Sequence, residues 1–300
     1  MKKTFLVTVL SFCLLPNLFA QDDLMKMLEE ESKKQKKKEF ATATFKTTRL
    51  INGQSIENVA AGVLDVKISH RFGMVNRGAY EFFGLDQATM RMGLDYGISN
   101  RLMVGIGRST YQKQYDAYYK FKLLRQSSGG RGSSPISISA TSSIMLQTLK
   151  WEDPKRQNYY TSRISFAHQL IIARKFSEAV SLQLMPSYVH YNLVQNATDP
   201  NDIFALGAGG RIKLSKRLSF NVEYYHVLPI SFVAGQDYRL PGTRTSLAVG
   251  LDIETGGHVF QLHFTNSTGM TEKTFITETT GDFFKGDIHF GFNLSRVFTI

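Results

Sequence analysis

Alternation of apolar and polar residues, sustained in about a dozen segments from Gly62 to Phe298, constrains this chain more than any other feature. Across 245–254, Leu247, Val249, Leu251 and Ile253 fall on one parity, and Ser246, Ala248, Gly250, Asp252 and Glu254 on the other. A period of two is that of a strand. Many such strands with few helices to cover them, behind an export-type leader, predict an all-β fold: an antiparallel transmembrane β-barrel of about 12 strands.

The leader is Met1-Lys2-Lys3, an apolar run over 4–15, and Leu18-Phe19-Ala20 before a polar Gln21-Asp22-Asp23. That is the pattern of a secretory signal cleaved after Ala20. Pro16 and Asn17 break the run well short of the ~20 apolar residues that a spanning helix needs. The sole cysteine, Cys13, lies inside it. The mature chain is therefore expected to carry no disulfide, thiolate metal site or cysteine nucleophile. The net charge of +11 is spread along the strands, and Lys2 and Lys3 leave with the leader. No recognition helix is evident, so a basic lumen or an acidic lipid surface is expected, and no nucleic acid.

Three regions follow: a signal peptide over 1–20, a charged periplasmic or lumenal segment over 21–61, and an outer-membrane barrel over 62–300. Residues 22–40, with five lysines between Lys33 and Lys38, read as a short helix or extended tail in solvent, or in contact with anionic lipid or a partner. Neither parity of 41–50 is apolar. That stretch suits the lumen, as lining or plug, better than it suits lipid.

The strands are predicted at 62–72, 88–98, 101–110, 115–124, 135–148, 160–172, 178–190, 203–214, 217–228, 243–254, 258–267 and 285–298. Outward sets such as Met90, Met92, Leu94 and Tyr96, or Phe260, Leu262 and Phe264, hold no charge in mid-strand. A charge at the bilayer midplane would cost about 2–4 kcal/mol. Arg108, Arg174 and Arg296 share the outward parity only at strand ends, where long side chains reach the headgroups. His168 falls mid-strand on that parity, and requires a bulge or a neutral contact.

Short links at Ser99-Asn100, 175–178, Ser215-Lys216 and 255–257 each follow an even-numbered strand. Long links at 73–87, 149–159, 191–202, 229–242 and 268–284 each follow an odd-numbered one. Barrels of this class have short periplasmic turns and long external loops, so both termini are expected in the periplasm. The short link at 111–114 and the long one at 125–134 break the rule. Tyr80, Phe82, Phe83, Tyr111, Tyr115, Trp151, Tyr159, Tyr160, Tyr188, Tyr191, Phe283 and Phe284 gather beside the long loops, as an interfacial girdle would.

The opposite parity is polar and should face the lumen: Asp65, Lys67, Arg71, Arg91, Asp95, Lys120, Lys122, Arg163, Arg211, Lys213, Glu223, Asp252, Glu254 and His263. Such residues make either a charge-selective channel or binding pocket, or an ion-pair network filling a closed lumen. Twelve strands fall between the side-chain-filled eight and the open sixteen. The histidines are scattered, and only His263 and His289, on neighbouring strands, share a parity that would let them meet. Gly105 and Gly107, like Gly207 to Gly210, sit within strands, where glycine eases close packing. No Ser-His-acid set stands out. No catalytic, cofactor-binding or metal-binding residue is assigned, so an enzyme is not expected, and lipid modification is the least supported role.

The strings EFFGLDQATMRMGLDYGISNRLMVGIGRS, SRISFAHQLIIARKFSE, FALGAGGRIKLSKRLS and ETGGHVFQLHFTNSTGMTEKTFITETTGDFFKGDIHFGFNLSRVF resemble a Bacteroidota family of β-barrel proteins, domain of unknown function 5777, across 41–300. The resemblance implies an outer-membrane barrel and brings no catalytic residues with it. The terminal Phe298-Thr299-Ile300 is similar to the signal read by barrel-assembly machinery. Lipid of the outer membrane, that machinery and a small solute are the expected partners. The favoured role is a passive pore or binding barrel for small solutes, anionic ones if the lumen is basic. The alternative is a structural or assembly barrel with a plugged lumen, docking periplasmic partners through 22–40. Residues 41–61 separate the two: inside the lumen they would favour the plug, in the periplasm the open pore.

Overall fold

A computed structural model of the protein describes residues 24–30, 38–151, 153–231 and 233–300. The leader and the lysines at 33–37 lie outside them. Two compact units are present: residues up to Phe40 together with Ser127–Pro135, and Ala41–Gln126 together with Ile136–Ile300.

In the first unit, residues 24–30 form a helical turn. Strand β1 (Glu39–Phe40) pairs antiparallel with β6 (Ser127–Ser128). Lys38 Nζ donates to the carbonyl of Gly132 at 2.7 Å. The link at 125–134 is long because it contributes β6 to this small sheet.

The second unit is a closed barrel of β2 (Val63–Met74), β3 (Ala88–Gly97), β4 (Leu102–Ser109), β5 (Gln114–Leu124), β7 (Ser137–Gln147), β8 (Ile164–Lys175), β9 (Val180–Tyr191), β10 (Asp202–Lys213), β11 (Leu218–Val227), β12 (Ser246–Thr255), β13 (His258–Thr265) and β14 (His289–Thr299). Each pairs antiparallel with its neighbours, and β14 closes on β2. All twelve expected strands are present, with ends displaced by up to four residues. An even number of strands brings the ends of the barrel together, and the amide of Ile300 donates to the carbonyl of Gly62 at 3.0 Å.

Three tight turns on that same side share one device. The hydroxyls of Ser99, Ser177 and Ser215 each accept two amides of their own turn: Arg101 and Leu102, Ala179 and Val180, and Arg217 and Leu218. Serine does this because its short side chain reaches backbone two and three residues on. At the opposite rim, the short link at 111–113 turns with Gln112 and Lys113 in the left-handed region, at φ 55° and 46°.

Alternate residues of the barrel form an exposed apolar belt that includes Met92, Leu94, Ile106, Tyr119, Phe121, Leu170, Leu182, Leu184, Phe260 and Leu262. In a hydrated surface this much contiguous apolar area would be a liability; against acyl chains it is what a barrel exposes. His168 belongs to this face without a bulge: it pairs in register with Tyr188, and the two rings stack at 5.9 Å. Tyr80, Phe82, Phe83, Tyr159, Tyr160 and Phe284 are exposed beside the long loops.

Candidate functional site

The interior of the barrel is filled from both ends. From the side of the chain termini, residues 44–59 fold into a hairpin, with an isolated bridge between Arg49 and Gln54 and a tip over 50–53 closed by the Leu50 amide on the Gly53 carbonyl at 2.8 Å. Backbone away from lipid must find partners, and the tip finds them on the wall. Glu223 of β11 accepts the amides of Ile51, Asn52 and Gly53 at 3.0, 3.2 and 3.0 Å. A side chain at position 53 would collide with the Tyr225 hydroxyl, so the tip requires glycine there.

The rest of the hairpin is bound around much of the barrel's circumference. Thr48 donates to Asp95 of β3 at 2.9 Å. Lys120 of β5 donates to the carbonyls of Thr48 and Ser55 and to Gln54 Oε1 at 3.1, 2.9 and 3.2 Å. Gln183 of β9 accepts from the Ile56 amide and donates to the Gln54 carbonyl, both at 2.8 Å. Asn293 of β14 donates to the Ile51 carbonyl at 3.0 Å, and Gln261 of β13 to that of Leu50. Phe45, Leu50 and Ile56 pack on Ile171 and Ala173 of β8.

From the other side, the loop between β13 and β14 turns inward instead of standing out as an external loop. Residues 266–277 are buried apart from the half-buried Thr268, and Glu272–Thr277 form the short helix α1. A capping box starts it: the Thr271 hydroxyl and Thr274 satisfy each other's amides. Phe275 and Ile276 of α1 pack into an apolar cluster on the wall with Met145, Ala167, Met185, Val189, Ile203, Ala205 and Tyr225. A loop with Met270, Phe275 and Ile276 has no lipid to cover them, so burial in the lumen is the available way out of water.

Hairpin and helix meet. The Arg49 guanidinium lies 3.1 Å from the Glu272 carboxylate, and Gln54 Nε2 donates to the same carboxylate at 3.3 Å. Burial opposes the charge on Arg49, but Glu272, with Tyr118 and Asp116, outweighs it and holds the pKa above its ordinary value.

Ten of the expected lumen residues are buried: Asp65, Lys67, Arg71, Arg91, Asp95, Lys120, Arg211, Glu223, Asp252 and His263. Lys67 pairs with Asp95 and Arg91 with Asp116, so much of the expected basic character is neutralised in place. Glycine at 107 leaves room for the Arg91 guanidinium. Arg71 contacts Asn52 of the hairpin tip and His263. Lys122, Lys213 and Glu254 are half-buried near the termini end, and Glu254 pairs with Lys46 of the hairpin. Arg163 does not join them. It precedes β8 in a 3-10 turn (Tyr160–Arg163), stacks 3.6 Å over the Trp151 ring and donates to the Gln147 and Leu149 carbonyls. The predicted strand start at 160 was too early by four residues.

His289 Nδ1 donates to the Phe72 carbonyl at 2.8 Å, and its Nε2 meets the Thr268 hydroxyl at 3.1 Å, away from His263. Among the described residues, no three His, Cys, Asp or Glu side chains gather as a metal site. Cavities remain at both ends of the fill. One of about 350 Å³ lies beside Lys46, Glu57, Asp65 and Glu254. One of about 480 Å³ lies between α1 and the rim loops. A depression of about 600 Å³ faces lipid, lined by Met92, Leu94, Ile106 and Ile144, and takes no part in the lumen.

Residues 45–298 match the family described as a membrane bound beta barrel domain, domain of unknown function 5777. The chain belongs to that family. The matched span begins inside the hairpin, so most of the plug is part of the family's domain. Among solved structures the chain is similar in fold to the NanC porin (10% identity, TM-score 0.49, 78% of this chain and 98% of that one). It is similar also to an outer membrane channel from Pseudomonas putida F1 (11%, 0.49, 81% and 97%) and to the KdgM porin (9%, 0.45, 79% and 99%). The barrel itself is established by its own strand pairing. No curated protein matches the sequence.

Proposed function

We propose that this protein is a gated outer-membrane barrel for small solutes, closed in the state described here, with the 44–59 hairpin as its gate. The observation that carries the reading is the docking of the hairpin tip on Glu223 and of Arg49 on Glu272, which fills the middle of the lumen. The chain termini face the periplasm in this reading, by the rule of short periplasmic turns. The hairpin then enters from the periplasm and α1 from outside. Withdrawal of the hairpin would leave a lumen wall rich in amides, hydroxyls and paired charges, the surface a passive conduit for small polar solutes needs. Supporting the gate over a permanent structural plug, the hairpin is held mainly by directed polar bonds, which a change of partner can replace.

Planar-bilayer recording tests it. The intact protein should be closed for most of a recording, and a Glu223→Ala/Glu272→Ala variant should show frequent conductance steps. Equal silence in both, with the variant still folded as a barrel, would favour a permanently plugged structural barrel that docks partners through 22–40.

A further inference from the structure

We propose that the 480 Å³ cavity above α1 is a binding site for an uncharged, hydroxyl-rich solute of mono- to trisaccharide size. Its walls come from five separate parts of the chain. Gln112 and Gln147 come from the β4–β5 and β7 rim, and Tyr191 to Asp199 from β9 and the loop after it. Leu240, Pro241 and Thr243 precede β12, and Lys273, Thr277, Glu278 and Thr280 belong to α1 and its exit. Volumes of about 300–1,000 Å³ are those of small-molecule sites.

The chemical class follows from which groups are already engaged. The charged groups are already engaged. Lys273 Nζ lies 3.0 Å from Glu278, and Gln112 bridges the pair, accepting from Lys273 at 3.3 Å and donating to Glu278 at 2.8 Å. Asp199 accepts the amide and the side chain of Asn196 at 2.9 and 3.0 Å. An anion would have to take Lys273 from Glu278 and leave that carboxylate without its partner, and a cation would have to displace Asn196 from Asp199.

The groups left over are different. The side-chain amide of half-buried Gln147, and the exposed side-chain amide of Gln195 and hydroxyl of Thr280, make no hydrogen bond among the described residues. Directly behind the wall, Gln114 Nε2 is buried and also lacks an acceptor. An amide offers a carbonyl acceptor and two N–H donors side by side, which is the complement of a hydroxyl that both donates and accepts. Leu193, Val194, Leu240 and Pro241 give the cavity apolar surface for the C–H faces that such solutes also carry. Accessible side-chain amides, engaged charges and apolar patches together select polyols over ions and over purely apolar ligands.

Binding can be measured on the full mature chain folded in detergent, whatever its conductance. Isothermal titration with maltose and raffinose should give saturable binding, unchanged between 50 and 500 mM NaCl, since no net charge is matched. Gluconate and glucosamine should bind at least tenfold more weakly. A Gln147→Ala/Gln195→Ala variant should lose affinity tenfold or more while keeping the heat-modifiable mobility of a folded barrel on gels. Gln195→Asn alone should retain most of it. No saturable binding of either saccharide overturns the proposal. So do preference for a charged solute, salt-sensitive affinity, or full affinity in the folded double variant. A silent bilayer recording with intact saccharide binding would refute the gate and leave this site standing.

Discussion

The hairpin over 44–59 and the helix-bearing loop over 266–279 both fill the lumen, but by different physics. The hairpin buries a few apolar side chains and is otherwise tied by hydrogen bonds and ion pairs to β2, β3, β5, β9, β11, β12, β13 and β14. The helix is held mostly by Phe275 and Ile276 in an apolar pocket. Directed bonds between buried polar groups are strong only while every partner is present. Apolar burial is indifferent to direction and degrades gradually. The hairpin is therefore the part a small chemical change should release, and the helix the part that stays.

Removing residues 44–59 should have the largest effect and breaks the comparison outright if it fails. The deletion variant is expected to assemble, because the wall strands pair without it, and to conduct continuously in planar bilayers. Next are single substitutions at the junction. Arg49→Ala or Glu272→Ala leaves a buried ion alone, at a cost of about 3–5 kcal/mol; the pair Arg49→Met/Glu272→Met should recover much of that. Denaturation monitored by gel mobility would show it. Phe275→Ala empties a fully buried ring site and should cost about 3–5 kcal/mol, but without opening the lumen if the hairpin is the gate. Conductance and stability should thus separate: junction variants change both, Phe275→Ala only stability. Smallest is Lys46→Ala. Its partner Glu254 is nearly half exposed, so less than about 1 kcal/mol is expected.

Much of this was legible in the sequence. The twelve strands were, because lipid outside and polar groups inside impose a period of two on every one. The reading of 41–50 as lumenal also followed from the absence of an apolar face. The inward course of the β13–β14 loop did not. Length marked it as external, and nothing in a single loop says where its apolar residues will be buried. A signal did exist on the wall. Ala167, Ile171 and Ala173 of β8, Met185 and Val189 of β9, and Ile203 and Ala205 of β10 are apolar on the inward parity too. Strands apolar on both faces are covered on both faces, and here the inner cover is Phe275 and Ile276, with Phe45, Leu50 and Ile56 of the hairpin over Ile171 and Ala173. Likewise the long 125–134 link made sense only once β6 had a partner in β1, a pairing of Glu39 with Ser128 and Phe40 with Ser127 that local patterning does not encode.

Cysteine labelling tests most directly whether the hairpin occupies the lumen. In a Cys13→Ser background the chain carries no other cysteine, so Ser55→Cys, at a fully buried position of the hairpin, can be read alone. A hydrophilic maleimide should leave it unmodified in the folded barrel and label it fully after boiling in detergent, while Ser162→Cys on the rim reacts at once in both. Equally rapid labelling of Ser55→Cys and Ser162→Cys in the folded protein would contradict the account.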